Sequence, residues 1–166
     1  MVGSRMRTVV LLALLTGLAL GEDLTPWRGV SYVGVVVSHS GPLAADEATV
    51  IAAMELQLRK AGLVCIDNED HPPVPPGKGG LLELGVSTLE AKSKAGGPLG
   101  YAYSIKVTAS IGVQTQEGGR FPAIIFTDDT FGIHSLDSPF TEPTVFADAV
   151  AIKIANLWLK DNPPHR

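Results

Sequence analysis

The sequence predicts an α+β domain, a two-layer sandwich in which a mostly antiparallel sheet of four or five strands carries two helices on one face. Three observations predict it. Residues 101–115, YAYSIKVTASIGVQT, alternate strictly between a mainly apolar odd set and a small, polar even set, as a half-buried strand does. Two other segments, 43–61 and 145–160, space apolar residues three and four apart, the mark of helices with one buried stripe. The elements run strand, helix, strand, three more strands, helix. Strands joined by short loops pair antiparallel, and two amphipathic helices bury best on one common face.

The N-terminus stands apart from this domain. Arg5 and Arg7 make a basic start, residues 9–20 are apolar, and Ala19-Leu20-Gly21 is a small-x-small exit. That layout is a secretory signal peptide over 1–21, cleaved before Glu22. Its apolar run of about twelve residues is short of the roughly 20 that span a bilayer. Glu22 and Asp23 follow the cut where a lipoprotein needs cysteine, so no lipid anchor and no stable membrane insertion after cleavage are expected. The protein is expected in the periplasm or outside the cell. Residues 22–30 read as a flexible leader, with Trp27 packing on the body, and 31–162 as a single α+β domain.

Charge and cysteine content exclude whole classes. The chain carries 13 basic and 17 acidic residues, and without Arg5 and Arg7 the balance is −6. An acidic domain with no basic cluster lacks the electrostatic footprint of a nucleic-acid binder. Cys65 is the one cysteine, so no disulfide framework exists. Its apolar setting, Leu63-Val64-Cys65-Ile66, is that of a buried inert thiol rather than a nucleophile.

In order, residues 32–38 are β-branched and make the first strand. His39-Ser40-Gly41-Pro42 turns the chain into a helix over 43–61, with Ala48, Ile51, Met54, Leu58 and Ala61 on its apolar stripe. Asp46 and Glu47 lie in its first turns, and Gly62 stands at the left-handed cap. A short strand, 63–66, precedes an acidic proline-rich loop over 67–80. Residues 81–92 alternate as a third strand. The long strand then bends near Gly112, because 15 residues would run about 50 Å if straight. Glu117-Gly118-Gly119-Arg120 closes a hairpin. Residues 121–127 form the next strand, with 128–135 as an irregular extension. Pro143 opens the last helix and Asn162-Pro163-Pro164 ends it.

No established catalytic pattern is complete. Ser40 before a helix invites comparison with a nucleophile elbow, but Ser38 and Pro42 stand where that turn needs glycine. Gly77-Lys78-Gly79-Gly80 lacks the upstream glycine and downstream hydroxyl of a phosphate loop. Asp128, Asp129 and His134 are the best candidate metal cluster, which His39 or His71 could complete. Zinc and calcium spacings are both missing. No cofactor is implied. The even face of the long strand, Ser104, Lys106, Thr108, Ser110 and Gln114, is either solvated or a partner surface.

The succession of helix ending Gly62-Leu63, acidic proline loop, leucine-rich strand, Tyr-x-Tyr-Ser-Ile-x-Val strand, hairpin, Thr127-Asp128-Asp129-Thr130-Phe131-Gly132 and a helix ending Lys160-Asp161-Asn162-Pro163 resembles a group of small exported bacterial proteins of unassigned function. In that group the last strand commonly carries Thr-Thr-Trp, where this chain has Thr127-Asp128-Asp129. The arrangement is also similar to α+β domains of envelope proteins that assist outer-membrane assembly. Together these point to a non-catalytic binding or accessory component of the cell envelope, with an envelope protein as partner. Two alternatives stay open: a small metal-dependent or hydrolytic enzyme using Asp128, Asp129 and His134, and a carrier of a small apolar ligand between helices and sheet.

Overall fold

The alternating stretch forms strand β4, Pro98–Gln114, in the computed structural model, which describes residues 25–66, 74–75, 77–114 and 119–163. The expected signal peptide at 1–21, most of the acidic loop with His71, and the expected hairpin tip lie outside the described residues. Ile105, Val107 and Ala109 are fully buried, as the odd set requires. Antiparallel neighbours flank β4: β3, Gly79–Lys92, on one side and β5, Arg120–His134, on the other. With β1, Tyr32–Ser40, and β2, Val64–Ile66, the sheet has the order β2-β1-β3-β4-β5.

The α+β class stands, with a five-stranded sheet that is antiparallel along its longest pairings. The expectation that consecutive strands pair antiparallel fails around β1, which is parallel to both β2 and β3. A helix between β1 and β2 carries the chain back to the starting end, so β2 must run parallel. Because β2 has only three residues, the chain then needs to cross only two strand spacings, roughly 10 Å, to begin β3 beyond β1.

Helix α1, Glu47–Ala61, starts four residues later than the periodicity suggests. Asp46 is its N-cap: the carboxylate accepts the Thr49 N–H at 3.3 Å and the Thr49 hydroxyl at 2.7 Å. A cap residue satisfies orphan donors only from outside the helix. The buried stripe is Val50, Met54 and Leu58, while Ala48 is exposed. Gly62 ends the helix at φ +107°, its N–H bonded to Arg59 O at 3.0 Å. Helix α2, Glu142–Asp161, has proline in its first turn and buries Val150 and Ile154. One hydrophobic cluster joins these faces of both helices to Val33, Leu84, Ile105 and Val107 of the sheet.

The β4–β5 pairing changes register between Ala109 and Ser110. Ala109 pairs with Phe126 and Ser110 with Ile124, so Ile125 is the extra residue. Such a bulge increases twist locally and lets a long strand follow the core. Strand β5 runs unbroken through 128–134, where an irregular extension was expected.

Residues 25–30, assigned by sequence to the flexible leader, pack on the end of α2. Trp27 is 1% exposed and Val30 3%. The Trp27 N–H donates to Asp161 Oδ2 at 3.0 Å, and the Gly29 N–H to Asn162 Oδ1 at 2.8 Å. Asn162 Nδ2 returns a bond to Trp27 O at 2.8 Å, and Trp158 Nε1 donates to Val30 O at 2.7 Å. Pro163 cannot continue a helix, and Asn162 leaves the helical conformation at φ −129°, ψ 65° to make this clasp.

Candidate functional site

Strand pairing places residues with the same direction side by side. On the sheet face opposite the shared core, register rows run Gly85–Lys106–Asp129, Ser87–Ser104–Phe131 and Leu89–Ala102–Ile133. Ser104 and Lys106 are exposed and Thr108 is half-buried. Ser110 is only 8% exposed, with Leu81 and Ile124 opposite it on β3 and β5. The open polar strip therefore ends at Thr108. Gln114 pairs with Arg120 at the end of β4, and its side chain lies outside the described residues. Lys106 has Asp129 directly opposite on β5 and Glu83 one row along on β3, so the strip carries both signs of charge.

The Asp128, Asp129 and His134 candidates are not brought together. Asp128 and His134 do point to one side of β5, opposite Val107 and Tyr101. They are six residues apart, roughly 20 Å along a strand, and Asp129 points the other way. Asp128 accepts a charged bond from Lys153 of α2 and the N–H of Asp129 at 3.0 Å. Among the described residues no three His, Cys, Asp or Glu side chains converge in a metal-binding geometry.

His134 has a different role, which no sequence pattern signalled. It is 4% exposed, with Nδ1 2.9 Å from Glu142 Oε1 and Nε2 2.8 Å from Ser138 O. Both partners offer acceptor oxygens, an arrangement that favours the ring with a proton on each nitrogen. The hydrogen bond to Glu142, with help from the Ser138 carbonyl, raises the His134 pKa against the opposing effect of burial. Burial alone would push Glu142 upward. The bond from His134 and the backbone N–H groups of Glu142 and Thr141 outweigh it and hold the carboxyl below its ordinary range. Phe140 covers the ring edge-on at 5.1 Å and also meets Tyr103 at 5.7 Å. The couple ties the end of β5 to the first turn of α2.

The remaining candidates occupy structural positions. Ser40 Oγ donates to Ser87 Oγ at 3.1 Å, and His39 pairs with Glu47 at 2.8 Å on the surface. The Lys78 carbonyl accepts the N–H groups of Ser31 and Tyr32 at 2.9 and 3.0 Å, which sets the β1–β3 register rather than a phosphate cradle. Cys65 is 5% exposed. An open groove of about 420 Å³ runs beside α2, lined by Tyr103, Thr130, Glu142, Val145 and Phe146.

The outer face also carries a feature the sequence reading missed. Phe131, Ile133 and Leu89 are 82%, 78% and 71% exposed. They sit in the two rows at one corner of the sheet, around exposed Ala102. The alternation of Phe131 and Ile133 against Asp128, Thr130 and His134 was the available signal.

No family model matches the chain, and no curated protein does. Among solved structures it is similar to a minor lipoprotein from Acinetobacter baumannii, at 12% identity and a TM-score of 0.37, covering 81% of this chain and 95% of that one. It is similar to the PelC dodecamer from Paraburkholderia phytofirmans, at 13% identity and 0.40, covering 79% and 88%. The rare lipoprotein B from Shewanella oneidensis matches at 15% identity and 0.28, over 78% and 92%. At these TM-scores the likenesses carry no functional argument for this chain.

Proposed function

We propose that this protein is a non-catalytic binding or accessory component of the cell envelope, exported to the periplasm or beyond, whose partner docks on the open sheet face at Ser104, Lys106 and Thr108. One observation carries the reading: the residues with the best claim to chemistry are each held in separate structural contacts, while a continuous sheet face stays exposed. Asp128 is neutralised by Lys153, His134 is locked to Glu142, and Ser40 bonds Ser87. A general base or metal ligand set needs lone pairs aimed at a common point, and among the described residues no three His, Cys, Asp or Glu side chains share one. The mixed charges of Lys106, Asp129 and Glu83 suit a protein partner better than a uniformly charged surface. The basic start, apolar run and small-residue exit of residues 1–21 support export.

A photoreactive side chain at position 106 tests the reading in native envelopes. It is expected to capture one recurrent protein, and the same group at the exposed helical position Leu56 is expected not to. Equal capture from both positions would remove the face from consideration. Turnover in a hydrolase screen that is lost in Ser40→Ala or Asp128→Ala would replace the reading with an enzyme. Protein recovered from the exported fraction should begin at Glu22.

A further inference from the structure

We infer that the apolar corner around Phe131 and Ile133 is covered by a second copy of this chain, joined through the edge of β5 in a two-fold antiparallel pairing centred on Gly132. Strand β5 is last in the sheet order, and among the described residues no strand pairs with its far side. An unpaired edge is a template for another strand, and proteins guard such edges with charge, proline or bulges. Most of β5 is guarded: Pro122 and the Ile125 bulge interrupt its first half, and Asp128 and Asp129 occupy the middle. Residues 130–134 are not. No charged side chain faces solvent there, since His134 is buried against Glu142.

The unguarded edge and the exposed apolar side chains belong to the same five residues. Phe131 is 82% exposed and Ile133 78%, and with Leu89 they present roughly 400–500 Å² of apolar surface, the size of the largest and often functional patch on a monomer.

Charge selects the occupant and the register. Centring the two-fold on Asp128 would set Asp128 against its own copy, and like charges directly opposite are destabilising. Centring it on Gly132 sets Phe131 against Ile133 of the partner subunit and Thr130 against the partner's His134. All four apolar side chains then share the outer face, and each Leu89 flanks them. The central pair is glycine on glycine, with no side chain to hold the edges apart. The corner is thus complementary to itself, the requirement for an isologous dimer. An anionic membrane is the disfavoured occupant, because the domain is acidic, −6 without Arg5 and Arg7. The patch falls short of the ~800 Å² per partner of a standard interface, so the dimer is weak, with a dissociation constant between about 1 µM and 1 mM.

Sedimentation velocity of the purified protein over that concentration range should show a monomer–dimer equilibrium. Phe131→Lys should raise the dissociation constant by at least about tenfold, with the far-UV and near-UV circular dichroism unchanged. The register has its own test. Mixing Phe131→Cys with Ile133→Cys under mild oxidation should give disulfide-linked dimers, and either variant alone should not, since like positions lie on a diagonal about 7–8 Å apart. A protein that stays monomeric throughout, a dimer indifferent to Phe131→Lys, or equal cross-linking of the single variants would overturn the proposal. So would co-sedimentation with anionic vesicles that Phe131→Lys abolishes while the protein alone remains monomeric.

Discussion

Glu142→Gln should change how stability depends on pH, because it removes the charge that holds the His134 proton. His134 has a folded pKa above its ordinary value of 6.5, and Glu142 has one below 4.5. The folded state therefore binds the His134 proton more tightly than the unfolded chain does. That contribution is complete below pH 6.5 and is lost as pH rises through the folded value. The Glu142 contribution is complete above pH 4.5 and is lost as pH falls through its own folded value. The couple is at full strength between those limits. One proton bound in the native state but not in the unfolded one gives a slope of up to about 1.4 kcal/mol per pH unit. Wild-type stability should fall at up to this slope above pH 6.5, over and above any contribution from other groups. His134 is buried but Glu142 is 33% exposed, so the charged hydrogen bond between them contributes about 1.5–3 kcal/mol. Glutamine still accepts one bond from Nδ1, so the loss should be roughly 2 kcal/mol at about pH 5.5. The difference between the proteins should shrink steadily toward about pH 8.5. Urea unfolding followed by fluorescence of Trp27, which is 1% exposed, measures both curves. A constant difference between wild type and variant across that range refutes the reasoning.

Three further outcomes are expected. Gly41 has φ +103°, and a Cβ there would lie 2.0 Å from the Thr88 carbonyl oxygen, so Gly41→Ala should cost on the order of 3 kcal/mol in a thermal melt. Asp161→Ala leaves the Trp27 N–H buried without an acceptor and should cost about 1–3 kcal/mol by urea titration. Met54 is fully buried, and Met54→Ala should cost about 2–5 kcal/mol by the same measurement.

The elements were legible because each is written in its own neighbours. Alternation in 101–115 revealed β4 and its core face, and Gly62 and Pro143 marked helix ends from their backbone restrictions alone. Legibility failed where a partner was remote. One local boundary also slipped: Asp46 looked like a residue of the first helical turn, and its bond to Thr49, three residues on, makes it the cap. Ser110 belongs to the polar set by position, yet between Leu81 of β3 and Ile124 of β5 it is only 8% exposed. Asp128 and His134 share a side as alternation implies, but Lys153 and Glu142 claim them separately. Trp27 suggested packing on the body by its size alone, but nothing in 25–30 names Asp161 and Asn162 as the partners.

By itself the sequence determined the order of strands and helices and the buried side of β4, since those properties follow from residues within a few positions of one another. Only the tertiary structure decided that β1 is parallel to both its neighbours, that β5 is an edge with Phe131 and Ile133 turned outward, and that Trp27 closes on Asp161 from 134 residues away. Period alone says which way a side chain points. What it meets there depends on how distant segments share one core, and no local pattern records that choice.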